Sequence, residues 1–369
     1  MKLNDTMMTS NRIKTAYTLA ALAIAGFAFN AAAQDAKPVK VFILAGQSNM
    51  EGKAPNTLLD HQATDPKTKG LFAHLRKNDQ WIVRDDVFIK FLERKGPLTV
   101  GYGSPGRTGS ELEFGTVMGD RYEEHVFLIK TAWGGKSLAM DFRPPSSGYP
   151  SDKELAEKVK AENDRLAKKH KKKDTPPPAI TAEEMKARYG HYYREMMKEI
   201  DTCLSELPKQ FPNCKGQGYE IAGFVWFQGW NDMVNAEYAA QYEKHMANFI
   251  RDIRKDLKIP NLPVVIAVMG QNMSKPAEGR MLQVQQAQLA MNDVPEFKGN
   301  VKAFRTDVLV DKAAEELYPD WRKDIEKWKL VGGDHAYHYL GSAIWFNRIG
   351  HAMGEAMIGL LKQSQSAGK

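Results

Sequence analysis

Cysteine is scarce in this chain of 369 residues, which contains only Cys203 and Cys214. Neither belongs to a C-x-x-C pattern, so the sequence predicts no cysteine-based metal site. In an oxidising compartment, two cysteines this close in sequence predict a disulfide that closes a loop of about ten residues. Two unpaired thiols are the alternative interpretation.

Long apolar runs are also missing beyond the N-terminus, so a protein with several membrane-spanning helices is excluded. There is no internal repeat. The one short apolar run, AYTLAALAIAGFAFN, follows the basic residues Lys2, Arg12 and Lys14 and precedes Ala31 and Ala33 in an A-x-A pattern. This order predicts a secretory signal peptide over residues 1–33, with an uncleaved anchor as the alternative. The mature protein is then secreted or periplasmic, with no stable membrane span.

Basic residues exceed acidic ones, for a formal net charge of +7. Much of the excess lies in the run KVKAENDRLAKKHKKKD, inside a charged segment of residues 146–182 that contains DTPPPA near its end. We interpret this segment as an inserted helical arm followed by a stiff connector. A basic run can bind nucleic acid or polyanionic glycans, but we interpret the lysines as a solvated helix face, which is the more common role of such a run. An exported protein also rarely meets nucleic acid. No nucleic-acid partner is expected.

Five apolar segments have the composition of buried strands, and amphipathic helical patterns separate most of them. The segments are residues 40–46, 125–135, 220–232, 262–272 and 300–310. The stretch WIVRDDVFIKFLE predicts a hairpin or a decorated sheet edge. Near-continuous apolar strands that alternate with helices predict a parallel sheet covered on both faces. The fold class is therefore a three-layer α/β domain over residues 34–369.

Small and polar residues follow several of these strands, and open parallel sheets place their sites at the carboxyl ends of strands. GQSN follows the first strand, WGGK the second and QGWND the third, and GGDHAYHYLGS precedes the last helix. Together they contain what acyl transfer requires: a serine nucleophile, a histidine base, a carboxylate and oxyanion donors. The backbone N–H of Ser48, a glycine N–H of the second loop and the Asn231 amide are the predicted donors.

The stretches GQSNM, TAWGGKSL, FQGWND and HYLGSA resemble the SGNH hydrolase superfamily. More narrowly, they are similar to its carbohydrate esterase branch, the sialate O-acetylesterase-like and acetylxylan esterase-like proteins. The resemblance implies a flavodoxin-like fold without metal or organic cofactor. It also implies a serine enzyme that removes acetyl groups from acetylated oligo- or polysaccharides through an acyl-enzyme.

The resemblance also implies roles for individual residues. Ser48 is the nucleophile, and it forms the oxyanion hole together with Asn231 and Gly135, for which Gly134 is the alternative. Gln228 is expected to orient Asn231.

The acid and base are expected in the final motif, where the family commonly has D-x-x-H. Here the motif is DHAYH, so the spacing departs from the family. We predict that His338 is the base because HYLGSA leads into the last helix, with His335 as the alternative. Asp334 is the predicted acid. Supporting or substrate-binding roles are predicted for Gln47, Gln228, Glu111 and Trp230, and Arg107 is a further candidate sugar contact.

Two other functions fit parts of the sequence. A lipase or thioesterase on the same fold would need a more apolar site entrance than loops rich in Gly, Arg, Asn and Trp provide. A non-catalytic glycan-binding module would have no need to keep the serine, asparagine and histidine together. Both remain alternatives to a carbohydrate O-acetylesterase.

Overall fold

A computed structural model describes residues 37–169, 178–211 and 216–367. The predicted signal peptide, Cys214 with its predicted disulfide, and residues 170–177 of the charged segment lie outside these ranges. None of the described helices combines the length and the apolar composition needed to cross a bilayer.

The described chain forms the following strands and helices. The strands are β1 (Val39–Gly46), β2 (Ala54–Pro55), β3 (Arg76–Lys77), β4 (Gln80–Trp81), β5 (Val87–Phe91), β6 (Arg94–Pro97), β7 (Arg107–Thr108), β8 (Val126–Ala132), β9 (Tyr219–Phe227), β10 (Val264–Val268) and β11 (Val301–Arg305). The helices are α1 (Ser48–Glu51), α2 (Asn56–Gln62), α3 (Lys69–Phe72), α4 (Glu111–Arg121), α5 (Asp152–Lys169), α6 (Ala182–Arg188), α7 (His191–Ser205), α8 (Leu207–Gln210), α9 (Trp230–Met233), α10 (Ala236–Asp256), α11 (Gly279–Leu289), α12 (Lys312–Leu317), α13 (Ile325–Trp328) and α14 (Ala343–Ala367).

Seven strands form the central sheet, in the order β11-β10-β9-β1-β8-β5-β6. Every neighbouring pair is parallel except β5 and β6, which form the hairpin predicted at this edge. Strand β1 lies in the middle, and the strands that follow it in sequence are added on both of its sides. This reversal of strand order leaves a crevice at the carboxyl end of β1, the usual position of a site in an open α/β sheet.

The register brings three strand ends to one level. Gly46, the last residue of β1, pairs with Ala132 of β8 and with Phe227 of β9. A Cβ atom on Gly46 would lie 2.2 Å from the carbonyl oxygen of Phe227, so only glycine permits this close approach. The loops after β1, β8 and β9 therefore start side by side.

Alternate residues of β1 enter two separate cores, one on each face of the sheet. Phe42 and Leu44 pack with helices α4 and α14, whereas Val41 and Ile43 pack with helices α7, α10 and α11. Full burial of each such side chain contributes about 1.5–3 kcal/mol. Helices on both faces of a mostly parallel sheet confirm the predicted three-layer α/β class.

The charged segment contains helix α5. All of α5 except Leu155 is half-buried or exposed, and Leu155 packs against Met185 of α6 and against Tyr189. The small cluster that these three residues form is separate from the two main cores. Helices α5 and α6 thus share a small apolar cluster outside the two main cores.

One ion pair in the core is buried completely. Lys130 on β8 and Glu111 at the start of α4 have no exposed side-chain surface, and Nζ lies 2.9 Å from Oε2. Lys130 Nζ also donates to the carbonyl oxygens of Glu51 and Tyr102, at 2.7 and 2.8 Å. The three ammonium protons therefore each have an acceptor, which compensates for removing the charge from water.

Replacement of Lys130 by methionine tests how much this ion pair contributes to the stability of the fold. We expect Lys130→Met to lower the free energy of unfolding by about 3–5 kcal/mol, since it leaves the Glu111 carboxylate buried without its cation. The double variant Lys130→Met/Glu111→Leu should recover part of this loss. Urea unfolding provides the measurement, with Lys153→Met on the exposed surface of α5 as the matched control. A loss no larger than that of the control would contradict the prediction.

Candidate active site

Ser48 lies where β1 turns into a helix. Gln47 is the extended residue between them, with φ −108° and ψ −158°, and helix α1 begins at Ser48. The serine is 6% exposed, and its hydroxyl makes no hydrogen bond within the described chain. The strand thus ends on glycine, and the serine follows at the start of the next helix, as the sequence predicts.

The loop after β8 places two glycines beside this serine. A Cβ built on Gly134 would lie 3.8 Å from Ser48 Cβ, and Gly135 has the left-handed φ of +73°. The N–H of Gly134 donates to Glu51 Oε1 at 2.5 Å, whereas the N–H of Gly135 meets no acceptor among the described residues. Of the two predicted donors, Gly135 is therefore the one whose N–H remains available.

Asn231 approaches the same point from the end of β9. Its Nδ2 donates to the carbonyl oxygen of Gly135 at 2.8 Å, which leaves the second amide hydrogen free to donate elsewhere. Its Oδ1 accepts from Gln47 Nε2 at 3.3 Å. The buried Gln47 also accepts from the N–H groups of Gly229 and Asn231, at 3.2 and 3.4 Å. Gln47 thereby joins the ends of β1 and β9.

Gln228 has a different contact from the predicted one. Its Nε2 donates to the carbonyl oxygen of Lys136 at 2.9 Å and to Asp232 Oδ2 at 2.6 Å, and not to the Asn231 side chain. Gln228 therefore orients the loop after β8 rather than Asn231 itself.

Asp232 is a supporting residue that the sequence reasoning missed. Its carboxylate accepts from the backbone N–H groups of Leu138 and Ala139, at 2.8 Å each, as well as from Gln228. Burial raises the pKa of Asp232 to about 7, while these donors act to lower it. The only signal in the sequence is that Asp232 directly follows Asn231 of the motif. That pair by itself predicts a helix cap, but the residue that caps α10 is Asn235.

Asp334 and His338 form a pair near the C-terminal helix. His338 Nδ1 lies 3.1 Å from Asp334 Oδ1, and Arg107 Nη1 lies 3.1 Å from Asp334 Oδ2. Burial alone would raise the pKa of Asp334, but the contacts with His338, the N–H of His335 and Arg107 outweigh it and keep this pKa below its ordinary value. Because Nδ1 of His338 faces the Asp334 carboxylate, Nε2 is the ring nitrogen that is available to contact a hydroxyl group.

The segment that carries this pair has an unusual backbone. Tyr339, Leu340 and Gly341 are consecutive left-handed residues, with φ of 54°, 60° and 59°. The Leu340 carbonyl accepts from the N–H groups of Gly333 and Asp334, at 2.8 and 3.0 Å, and the buried Tyr339 hydroxyl accepts from the Gly270 N–H at 2.8 Å. Such strain persists only where the surroundings enforce it.

One hydrogen bond ties this segment to the serine helix. Asn49 Nδ2 donates to the carbonyl oxygen of Tyr337 at 3.2 Å. Since Asn49 follows Ser48 and Tyr337 precedes His338, this contact brings two distant parts of the chain together.

His335 occupies a different environment from His338. Its ring stacks on Tyr337, with centroids 5.1 Å apart, and meets Trp321 edge-on at 5.7 Å. Only its backbone N–H contacts Asp334, at 2.8 Å. Tyr337 in turn lies 5.9 Å from the half-buried Trp230. His338 is thus the histidine whose ring faces the carboxylate, and His335 belongs to an aromatic row.

The two residues suggested as sugar contacts in the GRTGSELEFG segment differ in exposure. Glu111 is fully buried against Lys130, so a direct contact with a substrate is excluded and its role is support from within the core. Arg107 keeps 28% of its side chain exposed while it contacts Asp334. Within the described ranges, no group of three or more His, Cys, Asp or Glu side chains is arranged to hold a metal ion.

A comparison with protein-family models identifies the family of this chain. The model of the family described as carbohydrate esterase, sialic acid-specific acetylesterase matches residues 38–170 and 177–313. These ranges make up most of the sequence, so the chain belongs to this family. It is accordingly an SGNH-like carbohydrate esterase, a hydrolase of sugar esters, as the resemblance of its motifs implied. The Asp334–His338 pair lies beyond the matched ranges.

Individual relatives are distant. A probable carbohydrate esterase from Arabidopsis thaliana is 23% identical over 230 residues, which span 62% of this chain and 68% of that protein. An X-ray structure of an Arabidopsis thaliana protein has 16% identity and a TM-score of 0.47, covering 87% of this chain and 98% of that one. A carbohydrate acetylesterase from Xanthomonas citri has 13% identity and a TM-score of 0.43, with coverage of 86% and 55%. The crystal structure of NanS has 14% identity and a TM-score of 0.42, with coverage of 82% and 87%.

The lowered pKa of Asp334 generates a prediction about acid stability. A carboxyl whose pKa is lower in the folded state stabilises the fold above its unfolded pKa of about 3.9, and this contribution disappears as the pH falls through the folded value. We therefore expect the stability advantage of the parent over Asp334→Asn to be complete near neutral pH and to shrink below about pH 4. Unfolding free energies measured across this range, with Asp320→Asn as an exposed control, give the comparison. If the stability advantage of the parent over Asp334→Asn increases as the pH falls, the pKa of Asp334 is raised in the fold and the prediction is wrong.

Proposed function

We propose that this carbohydrate esterase is a serine acetylesterase that works through an acyl-enzyme. The observation that carries the proposal is the hydrogen-bonded arrangement around Ser48. The N–H of Gly135 and one amide hydrogen of Asn231 lie unused in the loops that follow the two strands next to β1, and the segment with the Asp334–His338 pair is bonded to the serine helix. These are the components of acyl transfer.

Each component has a defined step. His338 Nε2 takes the proton of the Ser48 hydroxyl, and Oγ attacks the acetyl carbonyl carbon. The resulting oxyanion accepts hydrogen bonds from the N–H groups of Ser48 and Gly135 and from Asn231 Nδ2. His338 then gives the proton to the departing sugar oxygen, which leaves as a hydroxyl. In the second half, His338 takes a proton from water, the water oxygen attacks the carbonyl carbon of the acetyl-serine, and the proton passes to Ser48 Oγ as acetate leaves. Asp334 stabilises the imidazolium through Nδ1.

The free Ser48 hydroxyl is compatible with this scheme. Catalytic hydrogen bonds are often long or poorly aligned before substrate binds and shorten in the complex. The same applies to the His338–Asp334 contact, because the buried Nδ1 makes no well-aligned hydrogen bond at its distance of 3.1 Å.

The surroundings of the serine favour a sugar over a lipid. Trp230 and Tyr337 directly adjoin Asn231 and His338 in sequence, and their rings lie 5.9 Å apart. Arg107 and His335 add polar surface to the same region. Aromatic rings next to hydrogen-bonding groups suit the apolar faces and the hydroxyls of a sugar. Acetylated oligo- or polysaccharides are therefore the proposed substrates, and acetylated sialic acid is the first monosaccharide to test, given the family description.

Location is part of the proposal. The N-terminal pattern of residues 1–33 supports export, so the enzyme is proposed to meet its glycan in the periplasm or outside the cell. Detection of a mature N-terminus near residue 34 in the exported fraction tests this part.

Replacement of Ser48 by alanine tests the mechanism. We expect Ser48→Ala to lose at least about 1000-fold in kcat, because removal of a serine nucleophile disables the whole catalytic group. Acetate release is measured on p-nitrophenyl acetate and on a panel of acetylated glycans. The matched control is Ser151→Ala, which changes an exposed serine at the start of the arm.

The same experiment separates the alternatives. A parent that binds glycans without releasing acetate would establish the binding module instead. Faster turnover of long-chain esters than of any acetylated sugar would favour a lipase or thioesterase.

The two histidines give a paired test of the base. His338→Ala is expected to lose about 1000-fold or more in kcat, as removal of the base disables the serine. His335→Ala should retain kcat on p-nitrophenyl acetate within about threefold, since its ring contacts aromatic side chains and not the carboxylate. Equal losses in both variants, or a larger loss in His335→Ala, would contradict the assignment.

A further inference from the structure

Glu51 ends the short helix that Ser48 begins, and its carboxylate points to the glycine turn after β8. Its Oε1 accepts the N–H of Gly134 at 2.5 Å. A Cβ built on Gly134 would meet this oxygen at 3.3 Å and Ser48 Cβ at 3.8 Å. The carboxylate, the glycine turn and the serine are therefore immediate neighbours.

The second carboxylate oxygen is also bonded. Oε2 lies 2.7 Å from Lys53 Nζ and accepts from Ser104 Oγ at 2.9 Å. Burial alone would raise the pKa of Glu51, but Lys53, Ser104 and the Gly134 N–H outweigh it and lower the pKa. The ionised carboxylate is paired with a lysine, so its charge is balanced where an oxyanion is to form.

The main chain of Glu51 is fixed independently. Its carbonyl oxygen accepts from Lys130 Nζ at 2.7 Å, and Lys130 is the lysine of the fully buried pair with Glu111. The side chain therefore extends from a backbone position that the protein core determines. A bond from such a position restricts the peptide it contacts more than a bond from a mobile loop does.

The bond from Glu51 to Gly134 also restricts the direction of the next N–H group, that of Gly135. Because Gly134 N–H is directed to Glu51, the orientation of the next peptide is limited, and Gly135 adopts φ +73° with its N–H unpaired. The carbonyl of Gly135 accepts from Asn231 on the other side. Loss of the Glu51 bond would leave Gly134 without this contact, while Asn231 would still bond Gly135 and Gln228 would still bond the next residue, Lys136.

We propose that Glu51 is a positioning residue that orients the Gly134–Gly135 turn so that Gly135 N–H faces the acyl group on Ser48. This inference rests on the proposed serine esterase mechanism. Glu51 acts through Gly134 and touches no reacting atom, and GQSNM, which ends one residue before it, does not include it.

The kinetic test compares two replacements at position 51. Glu51→Ala removes the acceptor, and we expect kcat on p-nitrophenyl acetate to fall by about 10–100-fold with KM within about threefold, because the donor serves the transition state. Glu51→Gln keeps an oxygen for the Gly134 N–H and should restore kcat to within about fivefold of the parent. Glu123→Ala, at a side chain that is 91% exposed, is the matched control.

A second measurement does not depend on activity. Hydrogen–deuterium exchange of the peptide that spans residues 133–137 should rise in Glu51→Ala and stay near the parent level in Glu51→Gln, with β1 unchanged in both. Unchanged exchange in Glu51→Ala would overturn the inference, as would a fall in kcat/KM that arises from KM alone. A parent without esterase activity would overturn the proposed function, whereas the exchange result would still decide whether Glu51 restrains the turn.

Discussion

The parallel register of β1 with both of its neighbours is the constraint on which the rest of the site depends. Gly46 is level with Ala132 and Phe227, so the chain leaves three adjacent strands at one height. A shift of one residue in either pairing would move the glycine turn or Asn231 by about 3.3 Å along the strand, well beyond hydrogen-bonding tolerance. The precision of the site therefore comes from the sheet, whose hydrogen bonds and buried aliphatic side chains are distributed over many residues.

Buried polar groups transmit that register to the loops. Gln47 joins the ends of β1 and β9, Asp232 accepts two backbone N–H groups of the loop after β8, and Lys130 reaches the carbonyl of Glu51 from within the core. Each of these side chains is almost completely removed from water, so the loss of one of these hydrogen bonds would strongly lower the stability of the fold. This penalty makes the loop conformations specific, because alternative arrangements would leave buried donors or charges without partners.

The C-terminal segment has a different function in the proposed mechanism, which requires His338 to approach a serine nearly 300 residues earlier in the chain. Two of its left-handed residues, Tyr339 and Leu340, are unfavourable in isolation, and the core compensates by burying both side chains and by bonding the Leu340 carbonyl twice. The stability of the fold is thus used to keep an otherwise unfavourable backbone next to the site. Arg107 and His338 share one carboxylate there, which keeps Asp334 ionised and oriented.

The sequence by itself determined the layered α/β class, the strand-end position of Ser48 and the glycine turn, because hydrophobic periodicity and glycine chemistry are local properties. It did not reveal that Glu111 is buried, that Gln228 contacts the Lys136 loop, or that Glu51 and Asp232 support the site. It also did not show that the ring of His338 faces Asp334 while the ring of His335 stacks on Tyr337. Tertiary structure alone decided these points, since each depends on a partner remote in the chain: Lys130 for Glu111, Gly134 for Glu51, and the stacking of Tyr337 and Trp321 around His335. A side chain's role follows from what it contacts, and contacts between distant segments are set by the packing of the whole domain.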